Sequence, residues 1–190
     1  MSDTVDAGHA AATPSQPAAA NGASAQRGQA GAGPISVHAQ FIKDLSFENP
    51  GAPESLVRQS QQPQVDVNID VRARKLDPAR PIFEIHLIVK AEAKNNGKTI
   101  FLVDLTYGGI MTLNTKVQED HQTAVVLVEG PRLLFPFARA IVADATRDGG
   151  YPPLMIHPVD FVDLLRRKAA DTQQQQAAAT AAADTPAGIA

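Results

Sequence analysis

Large apolar side chains concentrate between Ile35 and Leu165, and their spacing divides that stretch into strands followed by helices. The run Ile35-Ser36-Val37-His38-Ala39-Gln40-Phe41-Ile42-Lys43-Asp44-Leu45-Ser46-Phe47-Glu48 is rich in apolar and β-branched residues and stops at Asn49-Pro50-Gly51, which reads as a strand and a turn. Prolines and glutamines make the next segment, to Pro63, a loop. Val65, Val67, Ile69 and Val71 then alternate with Asp66, Asn68, Asp70 and Arg72, so a second strand has one apolar and one wet face. A third strand after Pro81 sets Phe83, Ile85, Leu87 and Val89 against Glu84, His86, Ile88 and Lys90. The stretch Arg74 to Arg80 between them is too long for a tight hairpin and predicts a crossing connection that carries Leu76. Asn95-Asn96-Gly97 is a strong hairpin signal, because Asn and Gly tolerate positive φ. It leads into a fourth strand from Lys98 to about Met111, in which Gly108-Gly109 marks a bulge or a close backbone approach.

After Thr115 the period changes. Ala124 to Val128 fits a short helix or a strand, and its position favours helix. Gly130-Pro131 punctuates, and Leu133, Leu134, Phe137, Ala138, Ile141 and Ala145 then share one helical face. Pro136 falls in that helix's first turn or kinks it, and Gly149-Gly150 ends it. Tyr151-Pro152-Pro153 is loop. A last helix follows Pro158, with Phe161, Leu164 and Leu165 as its stripe, Asp160 near its start and Arg166, Arg167 and Lys168 near its end, a charge order that suits the helix dipole. Four strands and then two or three helices predict an α+β fold, an antiparallel four-stranded sheet with helices over its apolar face.

Composition trims this picture at both ends. Residues 1–34 hold Ala, Gly, Ser, Gln and Pro with almost no large apolar group, a composition that predicts a disordered tail. Residues 172–190 read as a second tail, Gln- and Ala-rich, whose alanines favour extension of the last helix before it frays. The folded domain is therefore expected over 35–171.

Charge and residue usage exclude several classes. Residues 35–170 carry 16 cationic and 16 acidic side chains, so the formal charge of −3 comes from the remaining residues, Arg27 against Asp3, Asp6, Asp171 and Asp184. With no basic block, nucleic-acid binding through phosphate neutralisation is not expected. Cys is absent, which excludes thiolate metal sites and thiol catalysis. No apolar run nears the roughly 18 residues of a membrane span. The N-terminus lacks the basic and apolar segments of a secretory signal, so a soluble cytoplasmic protein without membrane insertion is the expectation.

Nothing in the chain resembles catalytic machinery. The histidines, His9, His38, His86, His121 and His157, include no pair at helical metal-ligand spacing, and no phosphate loop, dinucleotide loop or nucleophile elbow is present. No enzyme activity, metal or cofactor is expected. Binding fits better. The fourth strand carries Phe101, Val103, Leu105 and Tyr107 on one face and Ile100, Leu102, Asp104 and Thr106 on the other. A strand apolar on both faces points to self-association or a partner.

Four segments carry a family resemblance. Phe41-Ile42-Lys43-Asp44-Leu45-Ser46-Phe47-Glu48-Asn49-Pro50, Gly108-Gly109-Ile110, Leu134-Phe135-Pro136-Phe137-Ala138-Arg139 and Pro158-Val159-Asp160-Phe161 resemble, in order, signatures of the SecB protein-export chaperones. The resemblance spans about residues 35–168. It implies an ATP-independent cytoplasmic chaperone without cofactor. It also implies a homotetramer built as a dimer of dimers, which holds unfolded precursor proteins translocation-competent and passes them to the SecA motor ATPase. The resemblance maps the motor-docking surface onto Asp44, Glu48, Leu102 and Asp104, and the oligomer-forming face onto Val103, Leu105 and Tyr107. It suggests Val65, Val67, Ile69, Leu76, Leu164 and Leu165 as residues of the client groove. Carboxylates on a docking face would speed encounter with a basic segment. Family members are generally acidic, whereas this folded region is neutral, so docking must depend on local charge. Two further readings share the fold or its apolar interior: a SecB-like chaperone dedicated to a toxin–antitoxin system, and a small apolar-ligand carrier or enzyme.

Overall fold

The computed structural model describes residues 35–57, 62–114 and 117–183, all within one compact unit, Ala32–Ala190. The expected tail over 1–34 lies outside the described residues. Strands β1 (Ile35–Glu48), β2 (Gln64–Lys75), β3 (Ile82–Asn95) and β4 (Lys98–Leu113) form one antiparallel sheet in the order β1-β4-β3-β2. A single helical turn, α1 (Glu54–Val57), follows β1, and α2 (Glu119–Asp148) and α3 (Phe161–Ala183) follow the sheet. This is the α+β arrangement that the periodicity predicts.

The strand order corrects one connection. β2 and β3 are neighbours, with Lys75 opposite Phe83, so the link that carries Leu76 is a wide hairpin and not a crossover. The chain crosses the sheet instead between β1 and β2, over residues 49–63, because those strands are the two opposite edges. Asn96 and Gly97 turn the β3–β4 hairpin with φ of 50° and 76°, the left-handed conformations for which their side chains suit them.

One face of the sheet is buried under α2. Along β3 the odd positions Ile85, Leu87, Val89, Ala91 and Ala93 are buried, and along β4 so are Phe101, Val103, Leu105, Tyr107 and Met111. The helix answers with Val126, Gly130, Leu134, Ala138, Val142 and Thr146, all buried and spaced four apart, the narrow stripe that a helix lays on a sheet. Gly130-Pro131 does not interrupt α2. A Cβ on Gly130 would sit 2.3 Å from the Ile85 Cδ1, so the glycine is there for close approach to the sheet. Thr146 is the polar exception in the stripe. Its hydroxyl donates to the Val142 and Ala143 carbonyls and accepts the Leu154 N–H at 2.9 Å, tying the α2–α3 link to the helix.

The glycine pair of β4 serves close approach on both faces. A Cβ on Gly108 would lie 2.7 Å from the Phe41 ring, and one on Gly109 2.9 Å from Leu134. The irregularities lie in β1, where the register shifts between Val37 and Ala39 and between Ile42 and Asp44. Each shift resets the alternation, so Phe41 and Asp44 occupy the same face although three residues apart. Helix α3 starts where Asp160 accepts the N–H groups of Val162 and Asp163 on one carboxylate oxygen, an N-cap that also holds this carboxyl below its usual pKa. It continues through Gln173–Gln176 to Ala183, beyond the boundary at 171 that composition suggests.

Candidate functional site

Two surfaces stand out, a cleft at one end of the sheet and the sheet face that no helix covers. The cleft forms where three connections meet: the crossing segment after β1, the β3–β4 hairpin and the α2–α3 link. Its volume is about 950 Å³, and Val65, Ile100, Phe101, Tyr151 and Leu154 supply its apolar lining. Glu54, Asn96 and Lys98 form an exposed polar rim, with Pro152 exposed beside it.

Tyr151 is the keystone of this end. Its ring lies 4.8 Å from that of Phe101, and Phe101 stacks on Phe47 at 5.9 Å. Its hydroxyl donates to Asn49 Oδ1 at 2.7 Å and meets Ser55 Oγ at 2.6 Å. Asn49 in turn donates its amide to the Gly149 carbonyl at 3.2 Å. Residues about a hundred positions apart thus fasten the crossing segment to the end of α2. Gly149 has no side chain because the Phe47 ring fills that space, 2.2 Å from where a Cβ would stand.

The groove candidates divide accordingly. Val65 lines the cleft. Val65, Ile69 and Leu164 are partly buried against the core, and Leu165 is half-buried. Val67 and Leu76 are exposed, Leu76 on the β2–β3 link. Sequence reasoning missed Ile100, Phe101, Tyr151 and Leu154 as a group. The available signal was an aromatic beside two prolines between helices, Tyr151-Pro152-Pro153.

The uncovered face gathers the four docking candidates. Glu48 lies opposite Leu102, Ser46 opposite Asp104 and Asp44 opposite Thr106, so Asp44, Glu48, Leu102 and Asp104 share one face of β1 and β4. Asp44 and Glu48 are exposed and take no hydrogen bond or ion pair among the described residues. Asp104 pairs with Lys90 at 2.5 Å. Glu92, opposite Leu102 on β3, extends the carboxylates, and its pairing with Lys94 and Thr99 lowers its pKa.

Farther along the same face, Glu84 is buried within a charge cluster. Lys43 Nζ reaches it at 3.0 Å and His86 Nε2 at 2.8 Å, and Arg74 closes the cluster. Arg74 above all, then His86 and Lys43, bring its pKa down to about 2 from 4.5. The lysine comes from β1 and the arginine from β2, so one carboxylate links both edges of the sheet.

The residues expected at the oligomer face lie in the interior of the single chain. Val103, Leu105 and Tyr107 point under α2 and are 1%, 0% and 7% exposed within a single chain. Alternation shows that β4 has two apolar faces but not which one its own helix covers. Exposed large apolar groups lie elsewhere, at Val37, Ile42 and Leu45 on edge strand β1 and at Leu133 and Phe137 beside the buried stripe of α2, the Phe137 ring stacking on Tyr107.

Among the described residues no cluster of His, Asp or Glu is arranged to hold a metal, and no helix is long and apolar enough to cross a membrane. The chain matches the family model described as preprotein translocase subunit SecB over residues 28–174. It is 50% identical over 152 residues to the protein-export protein SecB of Rhodospirillum centenum, covering 79% of this chain and 89% of that one. With the SecB of Azorhizobium caulinodans it shares 53% identity over 134 residues, 70% of this chain and 82% of the relative. Its fold is similar to a solved SecB-like chaperone of Mycobacterium tuberculosis in complex with a peptide from the HigA1 antitoxin, at a TM-score of 0.56 and 18% identity, over 66% of this chain and 90% of that one. By these matches the chain belongs to the SecB family of protein-export chaperones, which are not enzymes.

Proposed function

We propose that this chaperone holds unfolded precursor proteins in the cytoplasm through the end cleft and delivers them to the SecA motor ATPase through the acidic sheet face. The observation that carries the first part is the cleft itself, an apolar floor of Ile100, Phe101, Tyr151 and Leu154 inside a polar rim. Such a surface takes apolar side chains from an extended chain without requiring one sequence. The partly buried face of Val65 and Ile69 continues the apolar surface along β2. No nucleotide is needed for binding of this kind.

Motor docking rests on Asp44, Glu48, Leu102 and Asp104, three carboxylates around one apolar residue, which suit a basic segment with an apolar anchor. Assembly as a dimer of dimers rests on the exposed apolar groups of β1 and on Leu133 and Phe137 of α2. A long, exposed edge strand such as β1 is ordinarily covered, and a second copy is the simplest cover. The dedicated toxin–antitoxin reading draws on a likeness in fold at 18% identity. The export reading draws on relatives about half identical in sequence.

The test is a binding titration with an unfolded precursor in the absence of nucleotide. Ile100→Glu places a charge on the cleft floor and should weaken binding at least tenfold while the melting temperature holds. Equal affinity of the variant and the parent would move the client site away from this cleft.

A further inference from the structure

Edge strand β2 is fastened at one point by the last helix. Lys168 of α3 donates from Nζ to the Asp70 carboxylate at 2.5 Å and to the Val71 carbonyl at 3.0 Å. The same Asp70 carboxylate accepts the Val71 N–H at 2.8 Å. β2 pairs with β3 on one side only, so these contacts identify the Val71 N–H and C=O as groups on the free side. Outward-pointing backbone alternates along a strand, and the N–H and C=O of Val65, Val67 and Ile69 therefore also point away from β3. Among the described residues those three find no partner on that side. One residue of the edge is capped on both its donor and its acceptor, and the half nearer the cleft is open. Val65 belongs to both the open half and the cleft lining.

We propose that Asp70 and Lys168 form a clasp that closes the edge of β2 to strand addition at Val71 and holds α3 beside it, and that its release opens the edge to an extended segment of an unfolded polypeptide. This deepens the proposed chaperone role and rests on it. An unpaired strand edge accepts any extended chain through backbone hydrogen bonds, which suits a binder of many sequences. Unrestricted, the same edge invites pairing between copies, and charged side chains are a usual protection. The clasp combines the two needs. The Asp70 and Lys168 side chains retain 30% and 49% of their exposure, so the ion pair is weak enough to yield to a competing strand. A bound strand would offer Val71 the donor and the acceptor that Lys168 and Asp70 now supply. Its alternate side chains would lie against Val67 and Ile69, the exposed and half-buried apolar groups of β2.

The test uses the full chain and a reduced, carboxymethylated polypeptide that stays unfolded. Lys168→Ala should speed amide hydrogen exchange in β2 near Val71 and in α3 around residue 168. It should also tighten binding of the unfolded polypeptide about two- to fivefold, the range set by a partly exposed ion pair. The double variant Asp70→Lys with Lys168→Asp restores a pair of opposite sign and should return affinity toward the parent value. Unchanged exchange and affinity in Lys168→Ala would overturn the clasp, as would faster exchange with weaker binding, which would make Lys168 part of the client surface. A parent protein that ignores the unfolded polypeptide would instead overturn the chaperone reading on which the proposal rests, and the proposal with it.

Discussion

Removing one oxygen atom tests how the cleft is held open. Tyr151→Phe keeps the ring against Phe101 but takes away the hydroxyl that donates to Asn49 and meets Ser55. Each neutral hydrogen bond contributes about 0.5–1.5 kcal/mol net, so the loss of two should cost about 1–3 kcal/mol. For a domain of this size that corresponds to a fall of about 2–10 °C in melting temperature. The effect should be local before it is global. Asn49 and Ser55 flank the start of the crossing segment, and without the hydroxyl the hydrogen bonds that tie its described residues to the sheet and to α2 are the Gly51–Ile100 backbone bond and the Asn49–Gly149 contact, beside the packing of Leu56 on the core. Local opening governed by 1–3 kcal/mol should raise the rate of limited proteolysis within residues 49–63 by about five- to a hundredfold. Affinity for an unfolded precursor should drop together with it, because the cleft loses one wall. A Tyr151→Phe protein that matches the parent in melting temperature and in cleavage of this segment would refute the claim that the hydroxyl pins the three connections.

Four further outcomes follow from the same geometry. Asp44→Lys with Asp104→Lys reverses two charges on the uncovered face and should weaken SecA binding about tenfold at low salt, with the difference shrinking as ionic strength rises; unchanged affinity at low salt would contradict the docking assignment. Glu84 has a folded-state pKa of about 2 against 4.5, so its contribution to stability is complete above pH 4.5 and disappears as the pH falls toward 2. Because Lys43 and Arg74 remain 44% and 71% exposed, that contribution is about 1–2 kcal/mol, and Glu84→Gln should flatten the acid limb of a stability–pH curve. Leu105→Arg should unfold the chain rather than dissociate an assembly, because it buries an unpaired charge at a cost of about 3–5 kcal/mol; a folded, smaller species would contradict its place in the core. Leu133→Glu with Phe137→Glu should lower the mass in light scattering while the circular dichroism of the fold is retained.

The sheet is legible in the sequence because a half-buried strand writes its two faces as a period of two. β2, β3 and β4 all do so, and the Asn96-Gly97 turn is written in residues that adopt positive φ. Features that depend on a distant partner are not written this way. The β1 register shifts near His38 and Lys43 appear only once β4 lies alongside. Gly130-Pro131 looks like punctuation because a glycine that makes room for Ile85 and one that ends a helix are the same letter. The period of β4 also carries no label for the covered face, and the expectation of Val103, Leu105 and Tyr107 at an interface rests on the family resemblance. The cleft was the least legible part. Its walls come from connections, which have no period, and they meet through contacts such as Tyr151 with Asn49 across about a hundred residues. The grouping of Asp44, Glu48, Leu102 and Asp104 rests on the family resemblance, and the antiparallel register explains why these four sit together.

The central claim is that this chain assembles and holds unfolded polypeptides without nucleotide. Light scattering of the purified protein, alone and mixed with an unfolded precursor, tests it most directly. The account expects a mass near four chains for the protein alone, and a stable, heavier complex on mixing with no ATP present. A monomer that leaves the unfolded precursor unbound would contradict it.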